Sequence, residues 1–502
     1  MLKKPRHLSG RALHVLLLGA ISAAFVTLFS YSTSPLFPHY IGNDSSFFRM
    51  VGQAMTMGML PYRDIFDMKG PYLFVIEYVG QLISFGRTGI FILQILNLWL
   101  TLYLADRLFR LFGVAGKGAR LLTLLPVLSM AALTIPAGNY TEEFSLAPMF
   151  SCVYVCAKFF KTMDDGTWNK RRLCLAGGWF GLMLGFLAFV RVTTASLPGG
   201  LIVAVITVLI AEKRASGILP CAGGFMLGLL AAVAPPLAYF WAKGLLKEFY
   251  EAVFVLGVKY SLEQSPIQHL AQTFSYNGIR SALLLALFAL TAFPVCFSRS
   301  SYKYRLMAAF AGLFTFFAIA AGNNYRHYYI LALPSAALGG IALVQELKSR
   351  SRFRKTAACL LLAAVILITP VFLVKTANDP VSFRVMSSRP SSNETLSKDA
   401  VAHIPDGEKD SIFTYNIGIS FWLYADVYPS VKYCCWQNHY IKLMPKIGEE
   451  LRETFDLTPP KWVLLRPDPG ELPGFLAEAL ESRYNETYSN EIFVLYRLNE
   501  PA

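Results

Sequence analysis

The sequence predicts an α-helical polytopic membrane protein, with about eleven transmembrane helices followed by a small C-terminal soluble α/β domain. Three observations predict it. Of the 502 residues, 55% are hydrophobic and only 16% are charged, which leaves a soluble domain too little polar side chain to cover its surface. The apolar residues come in long runs, such as Ala282 to Phe297, Leu306 to Ala321 and Thr356 to Val374. Runs approaching ~20 residues are the length that crosses ~30 Å of hydrocarbon. The net charge is +14, but the basic residues sit in short loops between apolar runs. That is the positive-inside pattern of a membrane protein and not the footprint of a nucleic-acid binder.

The spans fall at 12–31, 90–112, 118–136, 145–160, 173–190, 196–211, 218–240, 282–297, 306–321, 328–346 and 356–374. The first has the basic start of a signal peptide, but no small-residue cleavage site follows Phe29, so it counts as a helix. Tyr72 to Ser84 is also apolar, yet at ~1.5 Å per residue it reaches only ~20 Å. Charge settles its place. With Lys3, Lys4, Arg6 and Arg11 cytoplasmic and 72–84 not crossing, the later basic clusters all reach the same side. These are Arg107 to Arg120, Lys158 to Arg172, Lys213–Arg214, Arg299 to Arg305 and Lys348 to Lys355. Were 72–84 to cross, every one of them would invert. It therefore reads as a helix lying in the outer interface.

This topology divides the chain into a membrane module at 1–374 and an extracytoplasmic α/β domain at 375–502. Loops 32–89, 137–144 and 241–280 and tight turns near 191–195 and 322–327 also face outward. The tail shows strand-like runs at Ser411–Tyr415, Trp462–Leu465 and Ile492–Arg497. The eight cysteines form no disulfide framework and no zinc spacing. Six lie in or beside apolar runs and read as small core residues, and Cys434–Cys435 are vicinal in the tail.

Charge at a membrane surface is costly to hold, so its clusters are where function is sought. After the first span come Asn43-Asp44-Ser45-Ser46-Phe47-Phe48-Arg49. Apolar positions at helical spacing predict an amphipathic surface helix over 45–59. The segment Pro61-Tyr62-Arg63-Asp64-Ile65-Phe66-Asp67-Met68-Lys69-Gly70-Pro71 follows. Farther on stand Asn139-Tyr140-Thr141-Glu142-Glu143, Arg191 at the end of the fifth span, and Tyr325-Arg326-His327-Tyr328.

In this order the chain resembles the GT-C class of glycosyltransferases, in particular the branch of bacterial aminoarabinose transferases and protein O-mannosyltransferases. The shared pattern is an acidic residue after the first span (Asp44), a surface helix ending in glycine (Gly58), and a Lys-Pro-Pro-like segment, here Lys69-Gly70-Pro71. An interfacial helix (72–84) and a second span ending in basic residues complete it. The second acidic loop carries Glu142 and Glu143 where relatives often carry Asp. The resemblance implies a polyprenyl-phosphate sugar donor and a cell-envelope glycan, lipid or protein acceptor on the outer face of the cytoplasmic membrane. It implies an inverting displacement with Asp44 as base, Glu143 as the second catalytic acid, and Lys69, Arg191, Arg326 and His327 near the donor phosphate. Asp64, Asp67, Glu142 and Tyr62 fall to the acceptor or loop site. Some GT-C enzymes hold a divalent cation between the acidic loops and others do not. The sequence requires none.

Plainer readings stand beside these. Asp44 or Asn43 could cap the surface helix. Asp64 and Asp67 could shape a turn. Lys69 could snorkel to headgroups, Arg191 could anchor the interface, and His327 could belong to an aromatic belt. The two glutamates could favour a helix start. The rival class is a transporter or flippase of lipid-linked saccharides, which should carry ionisable residues mid-helix and internal repeats. A non-catalytic saccharide-binding protein is a third class.

Overall fold

A computed structural model describes residues 10–263, 265, 267, 268, 271, 278–297, 301–321, 325–375 and 379–499. The expectations for Lys3, Lys4, Arg6, Arg299, most of 264–277 and the turn residues 322–324 lie outside these. The chain forms two compact units. One comprises Met1–Ser34, Phe91–Tyr239 and Gln264–Ser382, and the other Pro35–Ile90, Phe240–Glu263 and Phe383–Ala502.

Every expected span is helical. They are α1 (Gly10–Phe29), α4 (Thr88–Leu111), α5 (Lys117–Thr134), α6 (Leu146–Asp164), α7 (Lys170–Ala188), α8 (Ser196–Ala211) and α9 (Ile218–Ala242). After them come α10 (Gly278–Phe297), α11 (Tyr302–Ala320), α12 (Leu333–Glu346) and α13 (Arg352–Lys375). Between α1 and α4 lie α2 (Asn43–Thr56) and the short apolar α3 (Pro71–Ile83). Among the described residues, nine helices are long and apolar enough to cross a membrane. Of the other two expected spans, α7 opens on Lys170, Arg171 and Arg172, and the apolar stretch of α10 is shorter.

In hydrocarbon, helices gain little by burying apolar surface, so close backbone approach and polar contacts hold them together. Both are present in the first unit. On α7, Gly177 and Gly181 face carbonyl oxygens of α9, at Cys221 and Phe225, so closely that a Cβ would overlap them. Gly224 and Gly228 of α9 face Cys174 and Gly178 of α7 in the same way. The i, i+4 spacing makes this a small-residue seam. On α4, the buried Asp106 carboxylate receives Arg120 Nε at 2.6 Å and Arg110 Nε at 2.8 Å, and His14 Nε2 of α1 lies 2.9 Å away. Three helices are thereby tied at one buried charge. Cys152, Cys156 and Cys221 are buried, but Cys296 and Cys359 are exposed. An apolar run in such a protein covers both the core and the lipid face, so the sequence placed these two in the core incorrectly.

The second unit joins the loop after α1 to the tail. Its sheet has the order β1-β2-β4-β3, from β1 (Ile412–Thr414), β2 (Trp462–Leu465), β3 (Tyr484–Ser489) and β4 (Val494–Leu498). β1 and β2 are parallel, and β4 is antiparallel to β2 and β3. Helix α14 (Lys446–Leu457) packs with Ile447, Leu451 and Phe455, one face at i, i+4 and i+8. The strand missed in the sequence is β3, an edge strand whose Asn-Glu-Thr run is mostly exposed. The Phe66 amide donates to the Lys432 carbonyl at 3.1 Å, and its ring meets Tyr433 and Tyr440.

The small-residue seam gives a direct test. Gly181→Val forces a side chain into the α9 backbone and should destabilise the detergent-solubilised protein by ~1–3 kcal/mol. Gly223→Val meets open space and should leave the melting temperature unchanged. Equal melting temperatures for the two variants would refute the seam.

Candidate functional site

The first unit builds a polar cluster at the second acidic loop. Ala137, Gly138 and Asn139 all have positive φ, at 88°, 70° and 60°. That conformation is costly for the two non-glycine residues, and strain of this kind concentrates where function requires it. The chain is held there from several sides. The Ser32 amide donates to the Ala137 carbonyl at 2.8 Å, and a Cβ on Gly138 would overlap Ser30.

Glu143 follows in the helical turn Thr141–Phe144 and is buried. Gln94 Nε2 of α4 donates to both its carboxylate oxygens at 3.0 Å, and the Asn139 amide donates to Oε2 at 2.8 Å. Asn97 Nδ2 donates to the Glu143 carbonyl at 2.7 Å. Gln94 Oε1 in turn accepts from Thr33 Oγ1 at 2.5 Å and Ser30 Oγ at 3.1 Å. Glu142 faces a different partner, with Arg191 Nη1 donating to Oε1 and Thr141 Oγ1 to Oε2 at 2.7 Å. The Arg191 guanidinium lies 4.1 Å from the Tyr328 ring centre, a cation–π contact. His327 is stacked on Tyr140 at 4.3 Å and on Tyr325 at 5.5 Å. Arg326 lies 5.9 Å from the Phe372 ring. The adjacent Glu142 and Glu143 therefore share one cluster with Arg191 and His327, which are distant in sequence.

The second unit holds the other candidates. α2 begins at Asn43, earlier than expected, and ends at Thr56, with Gly58 at φ 85° closing it. Its N-cap is Gly42, with no side-chain cap bond. Asp44 is thus not the capping residue, and neither is Asn43. Asp44 lies half-buried in the first turn, where the helix dipole favours a carboxylate. Asp67 is buried, and burial raises its pKa, opposed by Lys69 and reinforced by Asp44. Its Oδ1 accepts from the Met68 amide at 2.6 Å, and its Oδ2 is buried without a hydrogen bond. Lys69 is half-buried.

Tyr62 and Asp64 serve the loop itself. Tyr62 has φ 71° and is 1% exposed. Its ring packs on Phe74, Phe240 and Phe249, and its hydroxyl donates to the Lys69 carbonyl at 2.7 Å. Asp64 pairs with Arg63 through two bonds of 2.8 Å and accepts from the Leu60 amide at 2.7 Å. The bond to Arg63 lowers its pKa. Tyr62 thus holds the Lys69 backbone, and Asp64 closes the turn at Leu60. Among the described residues, no three His, Cys, Asp or Glu side chains are grouped to hold a metal.

Sequence reasoning missed Gln94 and Asn97, which order the acidic loop. Polar side chains inside an apolar helix are the signal that could have found them.

No protein-family model matches the chain, and no characterised relative matches its sequence. Its structure is similar to ArnT from Cupriavidus metallidurans bound to undecaprenyl phosphate, with a TM-score of 0.58, 12% identity and 98% of each chain covered. The apo state of the same protein matches with a TM-score of 0.58, 14% identity and 97% and 98% coverage. At this identity the likeness establishes the fold, and the expected GT-C-like architecture is borne out along the whole chain.

The Glu143 network carries its own prediction. Gln94→Leu removes the donor to both carboxylate oxygens and should cost ~1–3 kcal/mol of stability, the penalty for an under-satisfied buried group. Gln94→Glu, which sets a second carboxylate against the first, should cost at least as much at neutral pH. Thermal unfolding in detergent that matches wild type for both variants would contradict the network.

Proposed function

We propose that this integral membrane protein transfers a sugar from a polyprenyl-phosphate-linked donor to an acceptor on the outer face of the membrane. The observation that carries the reading is the likeness over 98% of the chain to ArnT, a protein solved with undecaprenyl phosphate bound. The charge pattern supports an orientation with the N-terminus cytoplasmic and the tail outside.

In this reading the Asp44 carboxylate takes the proton of the acceptor hydroxyl. The acceptor oxygen then forms a bond to the anomeric carbon from the face opposite the leaving group. The bond between that carbon and the phosphate oxygen breaks, the anomeric configuration inverts, and polyprenyl phosphate departs with the bonding electrons. General-base help of this kind contributes ~10²–10⁴-fold. Lys69 is the candidate to stabilise the leaving phosphate within the second unit. Its ammonium makes no ion pair among the described residues, while Tyr62 holds its backbone. Asp67, beside Asp44 and raised in pKa, is suited to hold a proton near the base. In the helical unit, Arg191 is the candidate for the lipid phosphate, and Glu142 orients it. Arg326 and His327 join it in that assignment. Glu143, fully engaged by Gln94 and Asn139, is assigned to shaping the loop and not to the proton transfer.

Two substitutions test this reading in a transfer assay with purified protein. Asp44→Asn keeps the size and polarity of the side chain, so it should fold and bind lipid donor while losing ~10²-fold or more in turnover. Lys69→Ala should lower turnover by the equivalent of ~2–4 kcal/mol with the melting temperature unchanged. Wild-type turnover in folded Asp44→Asn would remove Asp44 from the chemistry. Arg191→Ala is a less clean probe, since it strips a buried carboxylate of its partner and should also cost stability.

A further inference from the structure

The second unit contains a cavity of about 550 Å³ that the proposed chemistry does not use. It lies between the start of the first outer loop, α2, the turn after α3 and the tail. Its walls carry Arg49, Arg87, His39 and Lys398. Arg49 is 8% exposed, and its Nε is buried with no hydrogen-bond partner. Arg87 donates to the Phe37 carbonyl at 2.7 Å. Among the described residues, neither arginine has a carboxylate within ion-pair distance. Three carboxylates lie nearby. Glu394 accepts from His39 at 3.0 Å and from Lys398 at 2.6 Å. Glu77 acts on Arg49 from α3, and Asp426 lines the wall beside Tyr428.

Two guanidinium groups in one partly dry cavity repel each other, and each has lost hydration. Burial, then the charge of Arg87, pull the Arg49 pKa down to about 10, opposed by Glu77, Tyr424 and Tyr428. Such an arrangement is stabilised when an anion enters, because a planar guanidinium offers paired donors to an oxyanion. The cavity is larger than an oxyanion alone needs and falls in the range of small-molecule sites. Tyr424, Tyr428 and Gln53 supply hydroxyl and amide groups on its walls, which suits a hydroxyl-rich body attached to the anion.

We infer that this cavity is a binding site for a phosphate-type oxyanion carried on a polyol, with Arg49 and Arg87 as its anion ligands and Lys398 and His39 at its rim. A phosphorylated saccharide and a phospholipid headgroup both present that chemistry. The site is separate from the roles given to Asp44 and Lys69, so its binding is measurable without donor or transfer.

The test is isothermal titration calorimetry on the full-length protein in detergent. The ligands are inorganic phosphate, glucose 6-phosphate and a short-chain phosphatidylglycerol, each against wild type, Arg49→Gln, Arg87→Gln and Lys398→Glu. The wild type should bind at least one of the two polyol phosphates more tightly than inorganic phosphate. Tighter glucose 6-phosphate marks a saccharide source, and tighter phosphatidylglycerol marks a headgroup source. Each arginine substitution should weaken binding by about 10-fold or more, the loss of a charge-assisted contact. Should either arginine variant fail to fold, Lys398→Glu decides, since Lys398 is 58% exposed and its reversal should weaken binding by several-fold. No binding by wild type, or equal affinity in the folded variants, overturns the site. Neither outcome bears on transfer, which is read in a separate assay.

Discussion

A carboxylate removed from water must find donors, and the helical unit is organised around that requirement at Glu143. Gln94 spends its amide group on both carboxylate oxygens and its carbonyl oxygen on Ser30 and Thr33. One side chain thereby connects the end of α1, the second turn of a long apolar helix and the second acidic loop. The loop's run of positive φ values persists because these bonds over-determine it. With Glu143 held, its neighbour Glu142 faces Arg191, and Arg191 lies beneath Tyr328. The cationic group assigned to the lipid phosphate therefore depends on a network that never touches it.

The second unit meets the same requirement differently. There, a buried aromatic does the positioning: Tyr62, wedged among Phe74, Phe240 and Phe249, fixes the Lys69 carbonyl with its hydroxyl. The ammonium of Lys69 is left without an ion pair among the described residues. Asp67 keeps one oxygen buried and unbonded beside Asp44. Groups that are held in place but not internally satisfied are the ones available to a ligand. Arg49 meets the same description in the oxyanion cavity.

Much of this was legible in the sequence. The spans could be read because length and apolarity are physical requirements of the bilayer, and the helical segments fall where the runs do. Asp44, Lys69 and the two glutamates were singled out as candidates because charge at a membrane surface is expensive. Gln94 was legible in principle but was masked by the apolar residues around it in α4. The turn-forming role of Asp64 was legible from its residue type, but the packing role of Tyr62 was not. A positive φ at a tyrosine arises from tertiary packing that a linear pattern does not carry. The capping reading of Asp44 failed for a local reason, since the helix begins one residue before it. β3 escaped because an edge strand needs only one half-buried face, and its sequence is as polar as a turn.

The activity proposed for the chain is the removal of a sugar from a polyprenyl phosphate. It is tested most directly by incubating purified wild-type protein with a panel of radiolabelled polyprenyl-phosphate sugars and extracted cell-envelope acceptors, and following the label. One donor in the panel should lose its label to a product insoluble in the lipid phase. Free polyprenyl phosphate should appear in equal molar amount, and the product linkage should be inverted at the anomeric carbon. Label that moves across a membrane still attached to its lipid, with no polyprenyl phosphate released, would contradict the claim and establish the transporter reading in its place.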